Sequence, residues 1–151
     1  RLLQALGMRV TAVRTQPAPD EHGVRMVDFQ TLYNVLPETD WLVLACPLTT
    51  LTRELVNPTL LQALPPGAHL VNVARGEVVN EAALMEALQK GHLAGAYLDV
   101  FCQEPLPPDS SFWQMPNVII TPHGAGHSDG NEARVAEMFL DYLQRWLEGR
   151  A

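Results

Sequence analysis

Four polar residues stand at or just past the ends of apolar runs, in places suited to acid–base or anion chemistry. Arg75 and Gly76 follow the run His69–Ala74. Asp99 closes the run that begins at Ala94, and Glu104-Pro105 comes a short loop later. His123 and Gly124 follow Val118-Ile-Ile-Thr-Pro122. In an open parallel α/β sheet, ligands bind outside the carboxyl ends of the strands. An arginine, a carboxylate and a histidine delivered to that edge by successive strands would converge on one small substrate. Taken singly, Arg75 reads as a turn residue, Glu104 as a solvated carboxylate and His123 as a helix-entry histidine. Their joint placement is what points to a shared site.

The elements that must position them alternate along the chain. Arg1–Leu6 has helical spacing and stops at Gly7, and Met8–Val13 alternates as a strand. Asp28–Leu36 is predicted as a short amphipathic helix with Phe29, Leu32, Tyr33 and Leu36 on one face. Trp41–Cys46 is continuously apolar, as expected of a strand covered on both faces. Pro58 suits the first turn of a helix that runs to Leu64 and is ended by Pro65-Pro66-Gly67. After strand His69–Ala74, Asn80 can cap a helix with Ala83, Leu84, Ala87 and Leu88 in its stripe and Gly91 at its end. Strand Ala94–Val100, a proline-rich loop from Cys102 to Pro116, strand Val118–Thr121 and a helix from Asp129 to Leu147 complete the pattern. This alternation implies an α/β fold: a Rossmann-type parallel sheet with flanking helices, built from right-handed βαβ units.

Composition narrows the function classes. The 151 residues are 47% hydrophobic and 18% charged, in the range of one globular domain. A formal charge of −7 argues against nucleic acid or an anionic membrane surface as partner, while leaving room for a local basic site. No apolar run approaches the roughly 20 residues of a membrane span, and no leader precedes the first strand, so a cytoplasmic location is expected. Cys46 and Cys102 are read as reduced thiols, and the five histidines include no pair at metal-ligand spacing. No metal site is expected. His22, His69 and His92 read as surface residues, His127 receives no role, and Trp113 reads as a loop anchor or dimer contact.

A dinucleotide-binding domain should open with a strand running into G-x-G-x-x-G and a helix. No such motif occurs here, and the chain starts within what would be that helix. The fold is therefore expected to lack the first strand and the Gly-rich loop, with the gap between the strands at Met8–Val13 and His69–Ala74. Two strands would lose a ladder partner, so the isolated chain is expected to be poorly stable, to aggregate, or to borrow a strand.

Three motifs, Val71-Asn-Val-Ala-Arg-Gly76, Leu98-Asp-Val-Phe-Cys-Gln-Glu-Pro-Leu106 and Thr121-Pro-His-Gly-Ala-Gly126, resemble in order and spacing the signatures of D-2-hydroxyacid dehydrogenases. The likeness is greatest to the glyoxylate/hydroxypyruvate reductase branch. It implies that residues 1–151 are a partial NAD(P)-binding domain and that the substrate domain is absent from this chain. It also implies a reductase of small 2-ketoacids to D-2-hydroxyacids by hydride transfer, acting as a homodimer. By this resemblance Arg75 grips the substrate carboxylate and His123 is the general acid that protonates the keto oxygen. Glu104 orients the imidazole and keeps it protonated. Asp99 matches a contact to the nicotinamide end of the cofactor, Val73 a backbone contact to its carboxamide, and Pro47 the loop beneath it.

NAD-specific members usually end the second strand with Asp or Glu; counting from Gly7, Arg14 holds that place here. A cation suits a 2′-phosphate, so NADP is preferred and NAD remains possible. Gly124 replaces the aliphatic residue more common after the histidine. The alternatives to a reductase are a non-catalytic nucleotide-sensing or co-repressor-like module, and an inactive truncated product. The retained Arg75, Glu104 and His123 argue against a scaffold.

Overall fold

The computed structural model describes residues 2–16 and 23–150. Arg1 of the predicted first helix and His22 lie outside the described residues. The elements are α1 (Leu2–Ala5), β1 (Thr11–Val13), β2 (Arg25–Val27), β3 (Trp41–Leu44), α2 (Pro58–Ala63), β4 (Ala68–Asn72), α3 (Glu81–Gln89), β5 (Leu93–Leu98), β6 (Val118–Ile120) and α4 (Asn131–Leu147). Every strand pairing among them is parallel. β3-β4-β5-β6 form one sheet and β1-β2 a second, which is the Rossmann-type arrangement expected.

The helices start where local chemistry says they should. Asn57 caps α2 by accepting the Leu60 amide at 3.0 Å, with Pro58 at the first helical position. Asn80 caps α3 in the same way through the Ala83 amide at 3.0 Å. α2 and α3 pack together, and Leu60, Leu61, Leu84 and Leu88 close over the strand residues Leu70, Leu93 and Leu98. Each such leucine contributes about 1.5–3 kcal/mol by leaving water.

Four expectations are corrected. β3 is an edge strand of the four-stranded sheet, as is β6 at the other side, whereas β4 is paired on both sides, by β3 and β5. The crossover β3–α2–β4 is itself a βαβ unit, so a gap in strand order cannot border His69–Ala74. Nor is β3 covered on both faces: Trp41 and Val43 are 52% and 50% exposed, and the Trp41 ring stacks on His69 with centroids 4.2 Å apart. The span Asp28–Leu36 is not an α-helix. Asp28 Oδ1 accepts the Thr31 amide at 2.8 Å, and two short 3-10 turns follow, at Leu32–Asn34 and Leu36–Glu38. Pro37 disfavours α geometry in the residue before it, and burial of Leu32, Val35 and Leu36 fixes the turns instead. Finally, β2 is a strand that the sequence pattern did not reveal, because three residues are too few to show alternation.

α4 is 17 residues long, about 25 Å. None of its residues is buried among the described residues, and Met138, Phe139, Tyr142 and Trp146 are all exposed. No helix among the described residues is long and apolar enough to cross a membrane.

Candidate active site

Because β4, β5 and β6 run parallel, their carboxyl ends meet at one edge, and the register decides which residues face each other there. Asn72 pairs with Leu98, and Leu98 with Ile120. The next residue of each strand continues the match: the Asp99 amide donates to Asn72 O at 3.0 Å, and the Thr121 amide to Leu98 O at 3.0 Å. Asp99, Thr121 and the loop after β4 are thereby brought together.

Buried Asn72 shapes the exit from β4. Its Oδ1 accepts the Ala74 amide and its Nδ2 donates to Arg75 O, both at 3.0 Å. Arg75 emerges with an extended backbone and an exposed side chain, one Nη1 proton donated to Ala74 O at 2.6 Å. The remaining guanidinium donors have no partner among the described residues. Gly76 passes directly against the chain leaving β5, where a Cβ would sit 1.9 Å from the Phe101 carbonyl carbon. Only glycine permits that approach.

The loop beyond β5 is fixed at several points. Phe101 packs at a tilt on buried Phe112, with centroids 5.7 Å apart, and the Trp113 indole donates to Pro107 O at 2.9 Å. The second contact makes Trp113 a loop anchor. The Glu104–Pro105 peptide is cis. Glu104 Oε1 accepts the Phe101 amide at 2.9 Å, which leaves Oε2 to meet His123 Nδ1 at 2.6 Å. The two side chains are about one-third and one-half exposed, so the pair is open to a ligand. Burial pushes the Glu104 carboxyl up, but hydrogen bonds from His123 and the Phe101 amide, with the charges of His123 and Arg75, outweigh it and hold Glu104 below its ordinary range. With Nδ1 engaged, Nε2 of His123 has no hydrogen-bond partner among the described residues.

His123 itself has φ of +52°, in the left-handed region that non-glycine residues seldom enter. Its amide donates to Asp99 O at 2.9 Å, and the next two amides, of Gly124 and Ala125, donate to Asp99 Oδ1 and Oδ2 at 2.9 Å. Asp99 is 2% exposed, and Thr121 Oγ1 also donates to its Oδ1. Burial raises this carboxyl as well, yet the hydrogen bonds from Thr121, Ala125 and Gly124 and the charge of His123 prevail and lower it. A Cβ on Gly124 would meet only His127 Nδ1 at 4.0 Å, so the missing aliphatic side chain leaves open space beside the histidine.

Arg75, Asp99, Glu104 and His123 thus share one edge. Val73 lies on the same exit loop, its amide bonded to Leu44 O at 3.1 Å, so any contact it makes to a ligand's amide group falls to its carbonyl. Pro47 follows β3, with its carbonyl held by Thr52 Oγ1 at 2.7 Å. Arg14 follows β1 in the other sheet, its amide bonded to Val27 O at 3.0 Å and its side chain exposed. Asn72 and Thr121 were not among the expected site residues, although Asn72, an amide inside an apolar run, carried a visible signal. Cys102 lies beside Glu104; its amide donates to Glu81 Oε1 at 2.7 Å. Its thiol is pushed up to about 11 by burial and by the carboxylates of Glu81, Glu77 and Glu54. Among the described residues no group of His, Cys, Asp and Glu is arranged to hold a metal ion.

Residues 1–125 match the sequence model of the D-isomer specific 2-hydroxyacid dehydrogenase NAD binding domain. The chain belongs to the D-isomer specific 2-hydroxyacid dehydrogenases. It is 38% identical over 152 residues to a protein named glyoxylate reductase from Korarchaeum cryptofilum, a match spanning 99% of this chain and 45% of the relative. Its likeness to glyoxylate/hydroxypyruvate reductase B of Pectobacterium carotovorum is 41% over 132 residues, or 87% of this chain and 40% of the relative. Among solved structures, the family member from Xanthobacter autotrophicus Py2 in complex with NADPH and MES superposes with a TM-score of 0.88 at 40% identity, covering 96% of this chain and 59% of that one. The NADPH-dependent glyoxylate/hydroxypyruvate reductase of Sinorhizobium meliloti, in complex with NADP and sulfate, also gives 0.88, at 36% identity over 99% of this chain and 48% of its own. This dehydrogenase chain spans about half the length of the relatives it matches.

Proposed function

We propose that this chain supplies the cofactor-binding and acid–base half of an NADPH-dependent reductase that converts small 2-ketoacids, of the glyoxylate or hydroxypyruvate kind, to D-2-hydroxyacids. The observation that carries this reading is the Glu104–His123 pair, with Nε2 unengaged, beside an arginine whose charge reaches Glu104. Residues 1–151 form the NAD(P)-binding part, and a substrate domain elsewhere in the protein closes the cleft. We place the protein as a homodimer, on the family resemblance, and in the cytoplasm, where the nicotinamide cofactor is supplied.

The donor set fits a nicotinamide cofactor. The Val73 carbonyl can accept from a carboxamide, Asp99 lies at the adjoining strand end, and Arg14 offers a cation where a 2′-phosphate would lie. When bound, the dihydronicotinamide supplies the hydride that reduces the keto carbon. Arg75 presents a planar fork to the substrate carboxylate and so fixes the neighbouring carbonyl. His123 donates the Nε2 proton to the keto oxygen as negative charge develops on it, leaving a neutral imidazole that keeps its Nδ1 proton and donates it in a hydrogen bond to Glu104. Ionised Glu104 enforces that tautomer, since only a carboxylate accepts at both the Phe101 amide and His123.

The test follows dihydronicotinamide absorbance in the complete gene product, with NADPH and NADH in turn against glyoxylate and hydroxypyruvate. Turnover that prefers NADPH is expected. A folded protein that binds NADPH yet reduces neither acid overturns the reading.

A further inference from the structure

We propose that Thr121, backed by Tyr97, is a positioning residue that holds His123 in its working geometry. This rests on the acid–base role given to His123 above.

A left-handed histidine persists only where its surroundings over-determine it. Here three successive amides, of His123, Gly124 and Ala125, all converge on Asp99, one on its carbonyl and two on its carboxylate. The turn is therefore only as well placed as the Asp99 side chain. Apart from the turn's own amides, that carboxylate is held against rotation about its last bond by the Thr121 hydroxyl, one residue past β6, which donates to Oδ1, the same oxygen that receives the Gly124 amide.

The direction of this contact can be assigned. An ionised carboxylate only accepts, so the single Thr121 proton points to Asp99. Thr121 Oγ1 also lies 3.0 Å from the Tyr97 hydroxyl, and with its own proton committed it must accept there. The polar chain thus runs from Tyr97 to Thr121 to Asp99 and on to the histidine turn. Sheet register builds it: Tyr97 pairs with Ile119 and Leu98 with Ile120, so Tyr97, Asp99 and Thr121 fall on one face of adjacent strands. Tyr97 is half-buried and touches neither Glu104 nor His123 by any hydrogen bond, so its effect travels through Thr121 alone.

The experiment compares Thr121→Val, Thr121→Ser and Tyr97→Phe with the wild-type complete gene product, with NADPH and glyoxylate. Two readouts are taken: kcat against KM, and solvent exchange of the Gly124 and Ala125 amides and the His123 Nδ1 proton by NMR. Thr121→Val, which keeps the shape and removes the hydroxyl, is expected to lower kcat roughly 10- to 100-fold while KM for glyoxylate changes less than about threefold. It should also speed exchange at all three protons. Thr121→Ser should restore both readouts to within about threefold of wild type, and Tyr97→Phe should give an intermediate loss of roughly two- to fivefold.

Equal kcat in the Val and Ser variants, or a loss confined to KM, overturns the proposal while leaving the reductase reading intact. If the wild type reduces no 2-ketoacid, the reductase reading fails, and exchange alone decides: unchanged exchange in Thr121→Val sinks the positioning role. Should Thr121→Val fail to fold, Tyr97→Phe decides, and wild-type exchange at Gly124 and Ala125 in that variant counts against the proposal.

Discussion

Gly76 and Phe101 touch backbone to backbone: a Cβ on Gly76 would lie 1.9 Å from the Phe101 carbonyl carbon and 2.2 Å from the next amide nitrogen. The loop that presents Arg75 is thus seated against the loop that carries Glu104. Because the obstruction is main chain, no rotamer change can relieve it. Gly76→Ala is expected to destabilise the protein by about 1–3 kcal/mol or more, with the two loops forced apart. Urea unfolding of the two proteins checks this, and an unchanged midpoint would contradict the contact.

Glu104 is held ionised below the ordinary carboxylate range despite the burial that opposes it. Turnover that needs the carboxylate should therefore persist as pH falls past that range, and fail only as pH drops through the lowered value. Glu104→Gln removes this acid limb and should lower kcat by roughly 10²-fold, since the imidazole loses the acceptor that sets its tautomer. A pH–rate profile of both proteins is the measurement.

Asp99 also has a lowered pKa in the folded state, so its contribution to stability is present above the unfolded value and lost as pH falls through the folded one. Asp99→Asn should flatten that acid dependence. At neutral pH it should cost about 1–3 kcal/mol, because an amide cannot accept from Thr121, Gly124 and Ala125 with both of its polar atoms. Thermal unfolding across acid pH would show the difference as a converging pair of curves.

Arg75 has guanidinium donors to spare after its contact with Ala74. Lysine keeps the charge but not the fork, so Arg75→Lys is expected to raise KM for the 2-ketoacid roughly tenfold or more. An equal KM in the two proteins would remove Arg75 from carboxylate binding.

Arg14 stands exposed directly after β1. Replacing it with aspartate should weaken NADPH binding by at least about tenfold and leave NADH binding less affected. Titration of each cofactor by fluorescence tests this, and parallel losses would mean that Arg14 does not read the 2′-phosphate.

Much of this architecture was legible in the residues. Asn57-Pro58 and Asn80 marked the helix starts because a capping side chain and a missing amide act locally. The edge carrying Arg75, Glu104 and His123 was legible because apolar runs of strand length end just ahead of each. What sequence hid was relational. The three residues of β2 show no period, Pro37 broke a helical pattern into 3-10 turns, and strand order depends on pairings that no local signal encodes. Thr121 was hidden for the same reason: its importance comes from Asp99 on the neighbouring strand.

The thiol of Cys102, two residues from Glu104, is held near 11 by burial and three carboxylates. At neutral pH only about one molecule in 10⁴ carries the thiolate, the form that attacks peroxides and alkylating reagents. The loop that carries Glu104 thus places a thiol beside it in the protonated, unreactive form, and Cys102 is expected to alkylate slowly at neutral pH.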